Sequence, residues 1–179
     1  MITSLSAILL LALSTPPPSD MMYTFSTQTN IREWRIVNDG VMGGISRSSM
    51  MLTDVGHGRF SGQVSTANNG GFASVQLTKA IDRPKDKAFV VLRVKGDGKR
   101  YEFRLKNRVR QYESYVHTFA TSGEWETVRL PIADFYSEFR GRRLRGSNFN
   151  FDRIEQMSVF IANGKAENFE LLIDWIGLE

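Results

Sequence analysis

From Asp20 onward, apolar and polar residues alternate with period two, the pattern of strands that have one buried and one wet face. In 99–106 (KRYEFRLK), Tyr101, Phe103 and Leu105 share one face, and Arg100, Glu102, Arg104 and Lys106 share the other. In 72–79 (FASVQLTK), Ala73, Val75 and Leu77 fall together. Residues 88–95 (AFVVLRVK) are almost continuously apolar, as in a central strand. Met157, Val159 and Ile161 line one face of 154–161, and Phe169, Leu171, Ile173 and Trp175 line one face of 169–175. Weaker alternation marks Trp34–Asn38, Arg59–Ser65, Tyr115–Ala120 and Trp125–Leu130. Turn signals separate these runs, among them Asp39-Gly40, Gly43-Gly44, Gly70-Gly71, Ser122-Gly123 and Asn163-Gly164. Gly96-Asp97-Gly98, between two strong strands, predicts a hairpin. No long stretch has helical periodicity, and Pro131–Phe135 predicts only one helical turn. About nine or ten strands at this spacing predict an all-β sandwich of jelly-roll type. The tryptophans at 34, 125 and 175 each lie in a strand-like run and are expected in the core.

The first 20 residues (MITSLSAILLLALSTPPPSD) break the pattern. The apolar run within 5–13 is too short to span a bilayer and fits the central part of a secretory signal, with Ala12 and Ser14 placed for cleavage before Thr15. Its leading residues carry no Lys or Arg, so an upstream start, with Met21 or Met22 as the true one, is the alternative. Pro16 to Pro18 then form a linker. The expected organisation is a signal-like or extraneous segment over 1–20 and one domain over 21–179. A cleaved signal would place the protein outside the cytoplasm or in the periplasm. Otherwise it would be cytoplasmic or peripheral to a membrane.

Composition narrows the chemistry. The chain has 179 residues, enough for one domain with a sizeable core. It has no cysteine, which excludes disulfides, thiol nucleophiles and cysteine-held metals, and two histidines, which excludes a multi-histidine metal site. The formal net charge is +4, too small to imply nucleic acid as a partner. Zinc-protease, Walker A and nucleophile-elbow patterns are absent. Gly96-Asp97-Gly98 begins like a dinucleotide fingerprint, but Tyr101 stands at the third glycine and no helix follows. The expectation is a non-enzyme without metal or other cofactor.

Two segments carry candidate binding residues. In Asn38-Asp39-Gly40-Val41-Met42-Gly43-Gly44, side-chain oxygens and glycines favour a folded turn. Either the loop presents Asn38, Asp39 and Met42 to a partner, or its polar groups satisfy their own backbone; for Asp39 the second reading is favoured. In 140–145 (RGRRLR), Arg140, Arg142, Arg143 and Arg145 fall within six positions. Arginine density of this kind suits carboxylate or phosphate groups, as on an acidic protein surface, anionic lipid or nucleic acid, although a solvated loop would look the same. Between Arg93 and Arg110 eight cationic residues accompany two acids, and strand alternation accounts for them. Phe135, Tyr136, Phe139, Phe149 and Phe151 flank the arginine loop and either stack on sugar rings or pack the loop.

In order, WRIVNDGVMGGIS (34–46), GGFASVQL (70–77), GDGKRYEFRL (96–105), EWETVRLPIADF (124–135), Arg140-Gly141-Arg142 and ENFELLIDWIGL (167–178) cover nearly all of the chain after Asp20. This series resembles the complex I intermediate-associated protein 30 family. The resemblance implies a galactose-binding-domain-like jelly-roll β-sandwich and no catalytic residues. It also implies a chaperone-like assembly factor that holds intermediates of NADH:ubiquinone oxidoreductase or another membrane complex. Its partner is then a protein, with Asn38, Asp39, Met42, Arg140, Arg142 and Arg143 as contact residues. The same fold serves many carbohydrate-binding modules, so a glycan is the alternative ligand. The N-terminal extension lacks the arginine of a mitochondrial transit peptide, which favours a bacterial relative.

Overall fold

The computed structural model describes residues 17–179, so the signal-like stretch 1–14 lies outside the described residues. Alternation becomes strands where the analysis above expects them: Trp34–Ile36 (β2), Gly58–Val64 (β4), Ala73–Asp82 (β5), Phe89–Lys95 (β6), Arg100–Lys106 (β7), Ser114–Ala120 (β8), Trp125–Pro131 (β9), Arg153–Ile161 (β12) and Glu167–Leu178 (β13). Four short strands lack a clear pattern: Asp20–Thr24 (β1), Arg47–Leu52 (β3), Tyr136–Phe139 (β10) and Arg142–Arg143 (β11). Ile132–Asp134 form a 3-10 turn inside the expected helical turn.

The strands form two sheets. One runs β3-β4-β13-β6-β9, with β1 also on β13; the other runs β11-β10-β8-β7-β12-β5-β2. All pairs are antiparallel. β13 pairs with β4 through Glu167–Ile173 and with β1 through Trp175–Leu178, so two short strands share one edge of the longest one.

The apolar faces meet between the sheets. Phe60, Leu92, Val94, Leu130, Leu171 and Ile173 from one sheet pack with Val75, Phe103, Leu105, Met157, Val159 and Ile161 from the other in one buried cluster. Tyr101 is buried with them, and its single O–H is shared between an Asp97 carboxylate oxygen at 2.8 Å and the Glu170 carbonyl at 3.1 Å. This satisfies a polar tip that the core would otherwise strand.

Two expectations are corrected. Gly96-Asp97-Gly98 does not close a hairpin: β6 is in the six-stranded sheet and β7 in the seven-stranded one. Both edges of β6 are occupied by β13 and β9, so the turn crosses the sandwich instead. Asp97 holds this crossing by accepting from Lys99 Nζ at 2.7 Å and the Glu170 N–H at 2.9 Å. Burial raises its carboxyl, and these donors with the Tyr101 hydroxyl hold it below the ordinary value nonetheless. Of the tryptophans, only Trp34 joins the inter-sheet core. Trp125 lies half-buried on the outer face of the six-stranded sheet, 4.6 Å from the His57 ring and under the Arg93 guanidinium. Trp175 is buried on that same outer face and lines a groove with Pro17, Pro18, Val91 and Arg129. The bulge in β13 after Ile173 turns Trp175 away from the core.

Replacing Phe103, which is 0% exposed at the centre of the cluster, by alanine should cost about 3–5 kcal/mol and lower the denaturant midpoint accordingly. Val55→Ala, at a 74% exposed position, should stay within about 0.5 kcal/mol of the parent.

Candidate functional site

Asp39 opens a 3-10 turn, Asp39–Met42, directly after β2, and Gly43 ends the turn in the left-handed region at φ 91°. The Asp39 side chain points inward and is 0% exposed. Its carboxylate accepts from the Ser46 N–H at 3.0 Å, the Ser46 hydroxyl at 2.5 Å, the Gly71 N–H at 2.7 Å and the Phe72 N–H at 3.3 Å. A Cβ on Gly44 or Gly70 would strike this carboxyl, so both positions need glycine. Asn38 is likewise committed to the scaffold: its Oδ1 accepts from the Ser48 hydroxyl at 2.8 Å and the Ser74 N–H at 3.3 Å. Asp39 therefore offers no surface to a partner, which corrects its place among the contact residues. The donors to Asp39 and Asn38 come from Ser46, Ser48, Gly71, Phe72 and Ser74, all outside the turn, and not from the turn's own backbone. Met42 closes the same 3-10 turn.

The arginines occupy a hairpin. Phe139 and Arg142 pair across a two-residue turn, with Arg140 at φ 50° and Gly141 at φ 73°. Arg143 stands opposite Glu138 and lies over the Tyr136 ring at 4.5 Å. Arg140 lies 5.2 Å from the Phe139 ring centroid. Arg140, Arg142 and Arg143 are all exposed. Of the flanking aromatics, Phe135 and Phe149 are core and Phe151 packs against it, while Phe139 is exposed.

The two candidate segments do not converge. β2 and β11 are the opposite edges of the seven-stranded sheet, six strand spacings or roughly 29 Å apart. They are also at opposite ends: Asp39 donates its N–H to the Phe72 carbonyl, just before β5 begins, whereas the hairpin extends past Ser114, which starts β8. Asn38, Asp39 and Met42 on one side, and Arg140, Arg142 and Arg143 on the other, sit at diagonal corners.

The outer face of the seven-stranded sheet joins those corners, and sequence reading treats it only as a wet face. Phe72 stacks on Phe160 at 4.8 Å, and the Arg104 guanidinium covers Phe160 at 3.7 Å. Arg104 in turn binds Glu102 through Nε at 2.8 Å and Glu138 through Nη2 at 2.9 Å. Burial pushes the Glu102 carboxyl above its ordinary value, against the pull of Arg104. Gln156 Nε2 donates to Gln76 Oε1 at 2.6 Å on the neighbouring strands. Glu138, Gln156 and Ser158 are buried although they face outward. The outward register of Phe160, between inward Val159 and Ile161, is the sequence signal that marks this face. At the Asp39 end of the face, Arg100, Glu102, Thr118 and Asn163 line a groove of about 300 Å³. Among the described residues, no three His, Cys, Asp or Glu side chains gather to hold a metal.

The blocks brought together by Asp39 are parts of one recognisable pattern. The sequence pattern of the family described as Complex I intermediate-associated protein 30 (CIA30) matches residues 23–173. The chain belongs to the CIA30 family. No curated protein sequence matches it. Among solved structures it is similar to a family 11 carbohydrate-binding module from Clostridium thermocellum in complex with a β-1,3-1,4-mixed-linked tetrasaccharide. That likeness has 16% identity and TM-score 0.65, over 89% of this chain and 94% of the module. It is also similar to the family 11 module of the cellulase Lic26A-Cel5E of that organism, at 15% identity and TM-score 0.66, over 92% and 95% of the two chains. A third likeness is to an agarase, at 12% identity and TM-score 0.62, over 90% of this chain and 26% of the agarase. At these identities the likeness shows the fold: a jelly-roll sandwich of galactose-binding-domain-like type. In this CIA30 domain the family blocks NDGVMGG and GGF have a structural reason. The first supplies a buried carboxylate and the second supplies the N–H groups that hold it.

Asp39→Ala should leave the Ser46, Gly71 and Phe72 donors without their shared acceptor and cost at least about 3 kcal/mol in denaturant unfolding. Burial raises the Asp39 carboxyl, but its donors outweigh this and hold it below the ordinary 3.8. Its stabilising contribution is thus complete above the unfolded value and lost as pH falls through the folded one. Unfolding free energy should drop between pH 3.8 and lower pH in the parent, and Asp39→Asn should show a shallower drop.

Proposed function

We propose that this chain is a non-catalytic binding module that holds an assembly intermediate of a membrane complex, in the manner of a chaperone-like assembly factor for NADH:ubiquinone oxidoreductase. The observation that carries this reading is the CIA30 match over residues 23–173, which spans nearly the whole sandwich. The state of the charged groups supports it. Glu102 and Glu138 are bound to Arg104, and Asp39 is spent on backbone donors, so these groups serve the scaffold rather than chemistry on a substrate. The hairpin arginines Arg140, Arg142 and Arg143 meet the anionic surface that the target presents. Met42, at the opposite corner, is a second contact.

A carbohydrate-binding module is the alternative reading, favoured by one specific feature. Gln76, Gln156, Ser158 and Thr118 set hydrogen-bonding side chains around Phe160 on the outer face of a jelly roll. Against it, the Phe160 ring is already stacked with Phe72 and contacted by the Arg104 guanidinium, and Arg143 lies over Tyr136. A pyranose needs a free aromatic face on which to stack.

Crosslinked affinity purification of the full-length tagged protein from its native cells, read by mass spectrometry, checks the assembly reading. Respiratory-complex subunits should be enriched, and Arg140→Glu/Arg142→Glu/Arg143→Glu should reduce that enrichment by about tenfold or more. Absence of such subunits, with saturable binding in a glycan screen of the folded protein, would transfer the assignment to the sugar-binding module.

A further inference from the structure

The hairpin arginines have company that sequence order conceals. The connection 107–113 leaves β7 and enters β8 at the same end of the sheet as the 139–142 turn. Tyr112 and Phe139 touch edge to face at 5.3 Å, which fixes the two connections side by side. Arg108 and Arg110 thereby join Arg140, Arg142, Arg143 and Arg145 at one corner, and all six are exposed. Among the described residues none of the six forms an ion pair. Of the acids near the corner, Glu138 is bound to Arg104, and Glu155 to Arg153 and the Val109 N–H. Glu113, in the connection itself, has Oε2 buried without a hydrogen-bond partner and lies in the field of Lys106. Between the arginines, three apolar side chains face water: Tyr112 at 68% exposure, Val109 at 40% and Phe139 at 36%.

We infer that this corner docks on an anionic lipid bilayer, with the arginines on lipid phosphates and Val109, Tyr112 and Phe139 at the level of the headgroups. The inference rests on the reading of the hairpin as the contact region and names lipid as the anionic surface it meets. Three features select a bilayer. The cations sit on the tips of two adjacent connections, and the two grooves described above are lined by other residues. Stacking on Phe139 and Tyr136 presets Arg140 and Arg143, and guanidinium groups bind phosphate oxygens in pairs. The apolar tips have a use at a membrane interface, where aromatic rings sit among headgroups and basic residues hold anionic lipid. A nucleic acid would use the arginines and leave Val109 in water. No helix among the described residues is long and apolar enough to cross a membrane.

The experiment is flotation of the full chain with unilamellar vesicles, about 30% phosphatidylglycerol in phosphatidylcholine against phosphatidylcholine alone, at about 0.1 M NaCl. Partition into the anionic vesicles should exceed that into neutral ones by about tenfold or more and should weaken as salt rises. Arg108→Ala/Arg110→Ala/Arg142→Ala should abolish most of this difference, and Tyr112→Ser should reduce binding severalfold, both with unchanged thermal midpoints. Lys95→Ala/Lys165→Ala, which removes two solvent-accessible cations at the other end of the sandwich, before the start of β7 and after the end of β12, should bind as the parent does. Equal partition into both vesicle types, no partition, or equal loss in the lysine and arginine variants would overturn the inference. So would capture of an acidic peptide or a nucleic-acid duplex by the corner without vesicle binding. Vesicle binding with no respiratory subunits in the purification would instead remove the assembly reading and leave the membrane contact standing.

Discussion

One carboxylate ties three segments of the chain, two of them seven residues apart and the third more than thirty residues on. Asp39 follows β2, Ser46 precedes β3, and Gly71-Phe72 leads into β5. β3 belongs to one sheet, and β2 and β5 to the other. The buried charge therefore closes one edge of the sandwich with hydrogen bonds rather than apolar contact. Such a charge is tolerable only when nearly every lone pair is answered, and here backbone and hydroxyl donors answer it. The Ser46 hydroxyl extends the knot by accepting the Ser65 N–H at the end of β4. Because Phe72 is one of the donors, the same knot sets the start of the aromatic and guanidinium stack on the outer face.

That stack shows how a sheet can carry charge on its outer side with that charge paired inside the fold. Arg104 lies between two carboxylates and on a phenyl ring, so most of its capacity is spent within the fold. The outer face is then a supporting layer, while unspent charge gathers at the corner formed by 107–113 and the arginine hairpin. The division follows from strand geometry. Mid-strand side chains have neighbours on both sides at fixed spacing, whereas turn residues such as Arg108, Arg110 and Arg140, and the edge-strand residues Arg142 and Arg143, have fewer.

The likeness to carbohydrate-binding modules and the membership of the CIA30 family are compatible, because a jelly roll is a frame on which different contacts can be placed. Here arginine covers Phe160 and Tyr136, and Arg93 lies over Trp125.

Period-two alternation alone was enough to place nine strands and the all-β class, because a strand's burial is written in every second residue. The family blocks were legible too, since NDGVMGG and GGF carry residues that few other conformations require. Tertiary structure decided the rest. Gly96-Asp97-Gly98 has the composition of a hairpin turn, but the partners of β6 decide whether it pairs or crosses, and they come from β9 and β13. Trp125 and Trp175 obey strand spacing, yet which face a residue takes depends on register and on a bulge invisible in composition. Whether Asp39 faces water or backbone was set by donors seven and more than thirty residues away. The meeting of Arg108 and Arg110 with Arg140, Arg142, Arg143 and Arg145 follows from the pairing of β8 with β7 and β10. Local pattern records how each segment divides between oil and water; only long-range pairing determines which segments share a face.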